Sequence, residues 1–169
     1  MVDRSHPLAE SAALSPDCLA VRLEALPPSR RFIIRDDATV LASLGLAMPD
    51  TCRATTFGAQ ALLWLGPDEF LLLASDGKVP SLTGAVDVSH RDTALTVSGP
   101  HAAWAINAFC ALDLHPAAFP VGMCTRTVFG KAEVVLWRTA DDNFRIEVAR
   151  SFAPYVWACL EEARREFLA

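Results

Sequence analysis

Asp87, Ser89 and His90 come nearest to a nucleophile arrangement in this chain. A serine that attacks a substrate needs a histidine within hydrogen-bond reach and an acid behind it. In an extended segment, Asp87 and Ser89 share a face while His90 points away. No G-x-S-x-G lifts a serine onto a sharp turn. The spacing therefore points to a turn in which Asp87 and Ser89 satisfy each other or a backbone amide. Metal chemistry has less to work with. His6, His90, His101 and His115 stand apart, with no H-x-x-x-H to set two imidazoles on one helix face. The eight glycines form no G-x-G-x-x-G and no P-loop, so nothing lets the backbone approach a pyrophosphate. On this reading the chain carries no catalytic, cofactor-binding or metal-binding residue.

Carboxylate pairs occur at Asp36-Asp37, Asp68-Glu69, Asp141-Asp142 and Glu161-Glu162. Three fall in turns or caps and one on a helix surface, where solvation explains them. Glu133 is different, because it sits in an apolar run and alternates with Val135 and Trp137. It is a candidate for a burial-raised carboxyl; the plainer reading is an acid on an edge strand or paired with a partner.

Bulk composition narrows the class. The 169 residues are 52% hydrophobic and 21% charged with a net charge of -5, which suits a folded core. The longest basic runs are the pairs Arg30-Arg31 and Arg164-Arg165, too little to meet a line of phosphates. The five cysteines are widely spaced with no C-x-x-C, which reads as free thiols in a reducing cytoplasm. No apolar run approaches the roughly 20 residues of a membrane helix, and the opening residues do not read as a signal peptide.

Strand signals occur at 31–35, 52–57, 60–65, 69–74, 93–98, 124–129, 132–138 and 143–149. Helix signals run from Asp36 or Asp37 to Gly45, from Gly99-Pro100 through Phe109, and from Ser151 to the end. The order strand, helix, three strands thus occurs twice. Cys52 leads to Phe57-Gly58 at the interval by which Cys124 leads to Phe129-Gly130, and Trp64 and Phe70 match Trp137 and Phe144. Duplication predicts an α+β fold with a mostly antiparallel sheet, packed helices and a C-terminal amphipathic helix. Residues 1–17 read as a tail, loose or ordered on a partner. Residues 18–169 read as one duplicated domain with lobes at about 31–85 and 86–169.

In the last helix Phe152, Tyr155, Val156, Cys159, Leu160, Ala163 and Phe167 form an apolar stripe. Trp157 lies about 120° from its centre, which marks it as a candidate subunit contact unless a neighbouring loop covers it. Arg126 is a second candidate.

Four stretches together resemble the gamma subunit of heterotetrameric sarcosine oxidase: Trp64 to Leu73, Val86 to Arg91, Leu112 to Thr127, and Ser151 to Trp157. The likeness runs from about Cys52 to Phe167. The segment from Val86 to Ala102 also resembles the folate-dependent aminomethyltransferase of glycine cleavage, a family of duplicated α+β lobes. In that enzyme an Asp pair in a G-G-x-x-D-D strand serves folate chemistry; here Ala132-Glu133 stands in its place. The resemblance implies a non-catalytic, cytoplasmic subunit with alpha, beta and delta partners, chiefly alpha, and neither nucleic acid nor membrane as partner. It implies FAD, FMN, NAD, zinc and tetrahydrofolate on the other subunits. It implies a complex that demethylates sarcosine to glycine with tetrahydrofolate as one-carbon acceptor and hydrogen peroxide as product. The alternatives are a free-standing tetrahydrofolate-binding aminomethyltransferase-like domain, or the small subunit of a related N-methyl amino acid dehydrogenase.

Overall fold

The computed structural model describes residues 6–35, 47–74 and 84–168. Among these residues, ten strands form two antiparallel five-stranded sheets. Strands β2 (Arg30–Arg35), β3 (Ala54–Phe57), β4 (Gln60–Gly66) and β5 (Glu69–Ala74) belong to the first sheet. Strands β7 (Asp92–Ser98), β8 (Cys124–Phe129), β9 (Ala132–Ala140) and β10 (Asn143–Ala149) belong to the second. Two short strands complete them: β1 (Arg22–Ala25) and β6 (Ala85–Asp87). The helix expected between Asp36 and Gly45 lies outside the described residues.

The sheet orders β3-β4-β5-β2-β6 and β8-β9-β10-β7-β1 map onto each other as a repeat. The duplicated α+β architecture is therefore as the sequence implies, with one feature periodicity does not show. Each short strand crosses to the other repeat. β1 precedes β2 in the chain but pairs with β7, and β6 precedes β7 but pairs with β2. The exchange ties the two halves together through main-chain hydrogen bonds. A second tie lies where β3 and β8 begin: Ala54 N donates to Gly122 O at 2.9 Å and Cys124 N to Cys52 O at 3.0 Å.

Burial explains why the strands read differently in sequence. The β2, β4 and β5 runs of the first sheet are buried on both faces, so they are almost continuously apolar. One face, with Ile33, Leu63, Leu71 and Leu73, packs with Cys124 and half-buried Val135 and Trp137 of the second sheet. β9 alternates strictly, since Ala132, Val134 and Leu136 join a helix-side core while Glu133 is exposed. That core holds Ala102, Ala105 and Ile106 of α2 (Ala102–Asn107) and Val156, Trp157 and Leu160 of α3 (Ala153–Ala163). The last helix starts two residues beyond Ser151, which makes no cap. Phe152 holds the cap position and Pro154 lies in the first turn, where a missing N–H costs least. After Ala163 the helix tightens into a 3₁₀ turn, Arg164–Phe167.

An N-terminal arm completes this core. Helix α1 (Ala9–Ala13) follows Leu8, which is fully buried in the cluster that holds Trp157. Ser15 Oγ donates to Glu161 Oε1 at 2.5 Å, and buried Arg164 donates to Val21 O at 3.2 Å.

Gly99 fixes how the arm enters. Its φ is +113°, and a Cβ there would stand 2.6 Å from Ala20 O and 2.8 Å from Leu19 O. Both obstacles are backbone, so neither can swing aside. Gly99→Ala is expected to cost about 1–3 kcal/mol, because a non-glycine residue is strained at that φ even before the clash. Urea unfolding checks this; a change under ~0.5 kcal/mol would contradict it.

Candidate functional site

The face between the sheets holds a buried ion triad. Arg31 on β2 donates Nε to Glu147 Oε2 on β10 at 2.7 Å, and both side chains are 2% exposed. Arg145 takes the other oxygen of Glu147, with Nε at 2.7 Å. Strand parity puts these groups there: Arg31 shares a face with Ile33, and Arg145 and Glu147 point away from Phe144, Ile146 and Val148. Sequence reading missed this triad. The available signal was Glu147 between the apolar Ile146 and Val148, in a strand flanked on both sides.

A cleft of about 280 Å³ opens at the edge of this layer, between Leu65, Val135 and Phe152. Its charged groups neutralise each other. Arg126 on β8 reaches Glu69 on β5 at 2.7 Å and Glu133 at 3.7 Å, and Arg91 holds Asp92 at 2.9 Å. The Asp92 carboxylate holds the Arg91 guanidinium above its usual pKa. Glu69 also binds Arg35 at 2.7 Å. Each acid lining the cleft, Asp92, Glu133 and Glu147, faces an arginine.

The residues singled out in sequence fall as follows. Asp87 and Ser89 do form a turn: Ser89 Oγ donates to Asp87 Oδ1 at 2.5 Å, and Ser89 N donates to the same oxygen at 2.9 Å. Ser89 Oγ also accepts Arg31 N at 2.9 Å. The Ser89 hydroxyl and amide, with Arg30 behind them, hold the Asp87 carboxyl below its ordinary range. The turn is thus intact at neutral pH and loosens as pH falls through that lowered value. Glu133 is corrected as to burial and edge position, and it pairs with Arg126 at 3.7 Å. Its side chain is 74% exposed, and β9 lies inside its sheet, with β8 at the edge. Arg126 is partly exposed and engaged within its own chain. For Trp157 the alternative left open in the sequence holds, that a neighbouring segment covers it: it is 2% exposed, and its Nε1 donates to Glu161 at 3.0 Å. The arm supplies the cover, since Ser11, Leu14 and Pro16 flank it.

All five cysteines are free thiols. Burial pushes the Cys124 thiol up to about 12. A disulfide reagent at pH 8 is therefore expected to leave Cys124 unmodified in the native chain and to label it after denaturation, as read by peptide mass mapping. Rapid native labelling would contradict the packing. Among the described residues no group of three or more His, Cys, Asp and Glu is placed to hold a metal, and no helix is long and apolar enough to cross a membrane.

Comparison with known proteins follows from this geometry. The model of the sarcosine oxidase, gamma subunit family matches residues 35–166. The sarcosine oxidase subunit gamma of Corynebacterium sp. (strain U-96) is 34% identical over 144 residues, 78% of this chain and 70% of that protein. Its counterpart from an Arthrobacter species is 33% identical over 142 residues, 77% of this chain and 70% of that protein. A chain of the heterotetrameric sarcosine oxidase from Corynebacterium sp. U-96, solved with pyrrole 2-carboxylate, superposes with a TM-score of 0.88 at 29% identity, covering 98% of this chain and 97% of that one. Aminomethyltransferase T of the Bartonella henselae glycine cleavage system superposes at 0.61 with 14% identity, covering 85% of this chain and 46% of that one, a likeness of fold alone. With its duplicated sheets, its internally paired charges and a family match over most of its length, the chain belongs to the sarcosine oxidase gamma subunit family.

Proposed function

We propose that this chain is a structural and assembly subunit of a heterotetrameric sarcosine oxidase. In this reading alpha, beta and delta chains complete the complex, and this chain docks chiefly on alpha. The complex demethylates sarcosine to glycine, passes the one-carbon unit to tetrahydrofolate and releases hydrogen peroxide in the cytoplasm. FAD, FMN, NAD, zinc and the folate site belong to the other chains. The observation that carries the reading is the near full-length superposition on a chain of a heterotetramer. The neutralised cleft supports it, since its Arg126–Glu69 pair joins the two sheets. Exposed Val128 and Phe152 stand near Arg126 and supply apolar area for a partner. Trp157 cannot serve there while the arm covers it.

The fold shared with aminomethyltransferase T favours one rival, a free-standing tetrahydrofolate-binding domain. Titrating the purified chain with tetrahydrofolate by calorimetry separates the two. The assembly reading expects no heat of binding below millimolar concentration; a saturating isotherm in the micromolar range would favour the rival.

A further inference from the structure

Among the described residues β1, β3, β6 and β8 lie at the sheet edges, and β8 differs from the rest. β1, β3 and β6 run for only four, four and three residues. β8 runs for six, holds no proline and pairs with β9 without a register shift. Short edges, bulges and prolines are how natural sheets keep foreign strands off, and β8 uses none of them. Its one charge, Arg126, is turned onto Glu69 and Glu133 of its own chain.

The main chain defines what this edge can hold. Cys124 N donates away from β9, to Cys52 O at 3.0 Å. Alternation then turns the N–H and C=O of Arg126 and Val128 outward, while Thr125, Thr127 and Phe129 bond β9. Among the described residues no strand pairs with this outward side, and Val128 is 57% exposed. The chain itself lines only the first place along it. Arg53 bridges Met123 antiparallel, and the backbone turns off at Cys52, whose φ is +57°.

We propose that β8 takes up an extended strand of the partner chain on which this subunit docks, antiparallel and bonded to the main chain of Arg126 and Val128. The proposal rests on the assembly reading and adds the mode of contact, strand addition to an open edge. Donors and acceptors at strand spacing match another extended backbone, whereas a helix bonds its own main chain internally and cannot satisfy them. Opposite Val128 the incoming strand carries an apolar residue. Opposite Arg126 it carries no cation, because like charges directly across a pair repel.

The test co-expresses the tagged full chain with the proposed partner chains. In the native complex, hydrogen exchange at the Arg126 and Val128 amides should slow by about a hundredfold or more relative to the free chain. Val128→Pro deletes an outward N–H that β9 does not use, so the Tm of the free chain should stay within about 2 °C of native. Its capture of partner should weaken about tenfold or more. Val128→Thr keeps the N–H and should lose less than about fivefold. The exchange measurement uses the native chain, so it decides even where the proline variant misfolds. A native complex whose Arg126 and Val128 amides exchange as fast as in the free chain would overturn the strand contact and leave the assembly reading standing. So would a Val128→Pro chain that folds and assembles as well as the native one. Failure of the native chain to capture any partner would overturn both. Slow exchange at these amides in a free chain that runs as a dimer would assign the edge to a second copy and overturn the proposal.

Discussion

Replacing Glu147 by leucine is expected to lower the unfolding free energy by about 3–5 kcal/mol, the range for removing one partner of a buried ion pair. Glu147 is 2% exposed and lies between Arg31, also 2% exposed, and Arg145, 17% exposed. Without it, two guanidiniums face each other across the inter-sheet layer, and the nearly buried Arg31 keeps the Ser29 carbonyl but no carboxylate. The expected fall in Tm is about 6–20 °C for a domain of this size. Arg31→Met should cost less, since Glu147 keeps Arg145 as its partner. The double variant Arg31→Met/Glu147→Leu should be milder than the sum of the singles by ~1–3 kcal/mol, because it removes the unpaired charge along with its cause. A urea double-mutant cycle measures all three. Additive losses, or a Glu147→Leu cost under ~1 kcal/mol, would show that the pair does not hold the two sheets together.

Trp157→Ala is expected to cost about 3–5 kcal/mol, as for other buried aromatic truncations. The indole fills space shared by α3 and the arm, and buried Leu8 belongs to the same cluster. Trp157→Phe should cost about 1–2 kcal/mol: most of the ring remains, and the N–H donated to Glu161 is lost. Glu161 keeps Ser15 and Arg164. Limited proteolysis supplies the second readout. The alanine variant should be cleaved within residues 1–17 faster than the native chain. A Trp157→Ala chain as stable and as protease-resistant as the native one would contradict a sealed arm.

Much of the fold was legible because local signals agreed with one another. Cys124–Phe129 and Asn143–Ala149 match their expected limits, with alternation in each strand and turn residues at Gly130 and Asp141-Asp142. Strands β1 and β6 were not legible. They are four and three residues long, and each is held by a partner in the other repeat, which no local window contains. The wheel position of Trp157 left its cover open for a related reason. A helical wheel assumes one covered face, whereas α3 packs on a sheet and is covered again by a segment some 140 residues earlier. The two acids within apolar strands divided on position. Glu133 sits near a hairpin end, opposite Val128, and reaches water; Glu147 sits mid-strand between β7 and β9 under the first sheet. Parity sends both to the same side, and distance from the rim decides which one is buried.

Exchanged strands and a buried ion triad join the two repeats of this chain. Native mass spectrometry of the particle captured through a tag on this chain, co-expressed with the alpha, beta and delta chains proposed as its partners, tests that account most directly. The predicted result is one copy of this chain in a four-chain particle that produces peroxide from sarcosine, with no turnover by the chain alone. Recovery of the tagged chain by itself, while the other three assemble into a fully active enzyme without it, would contradict the account.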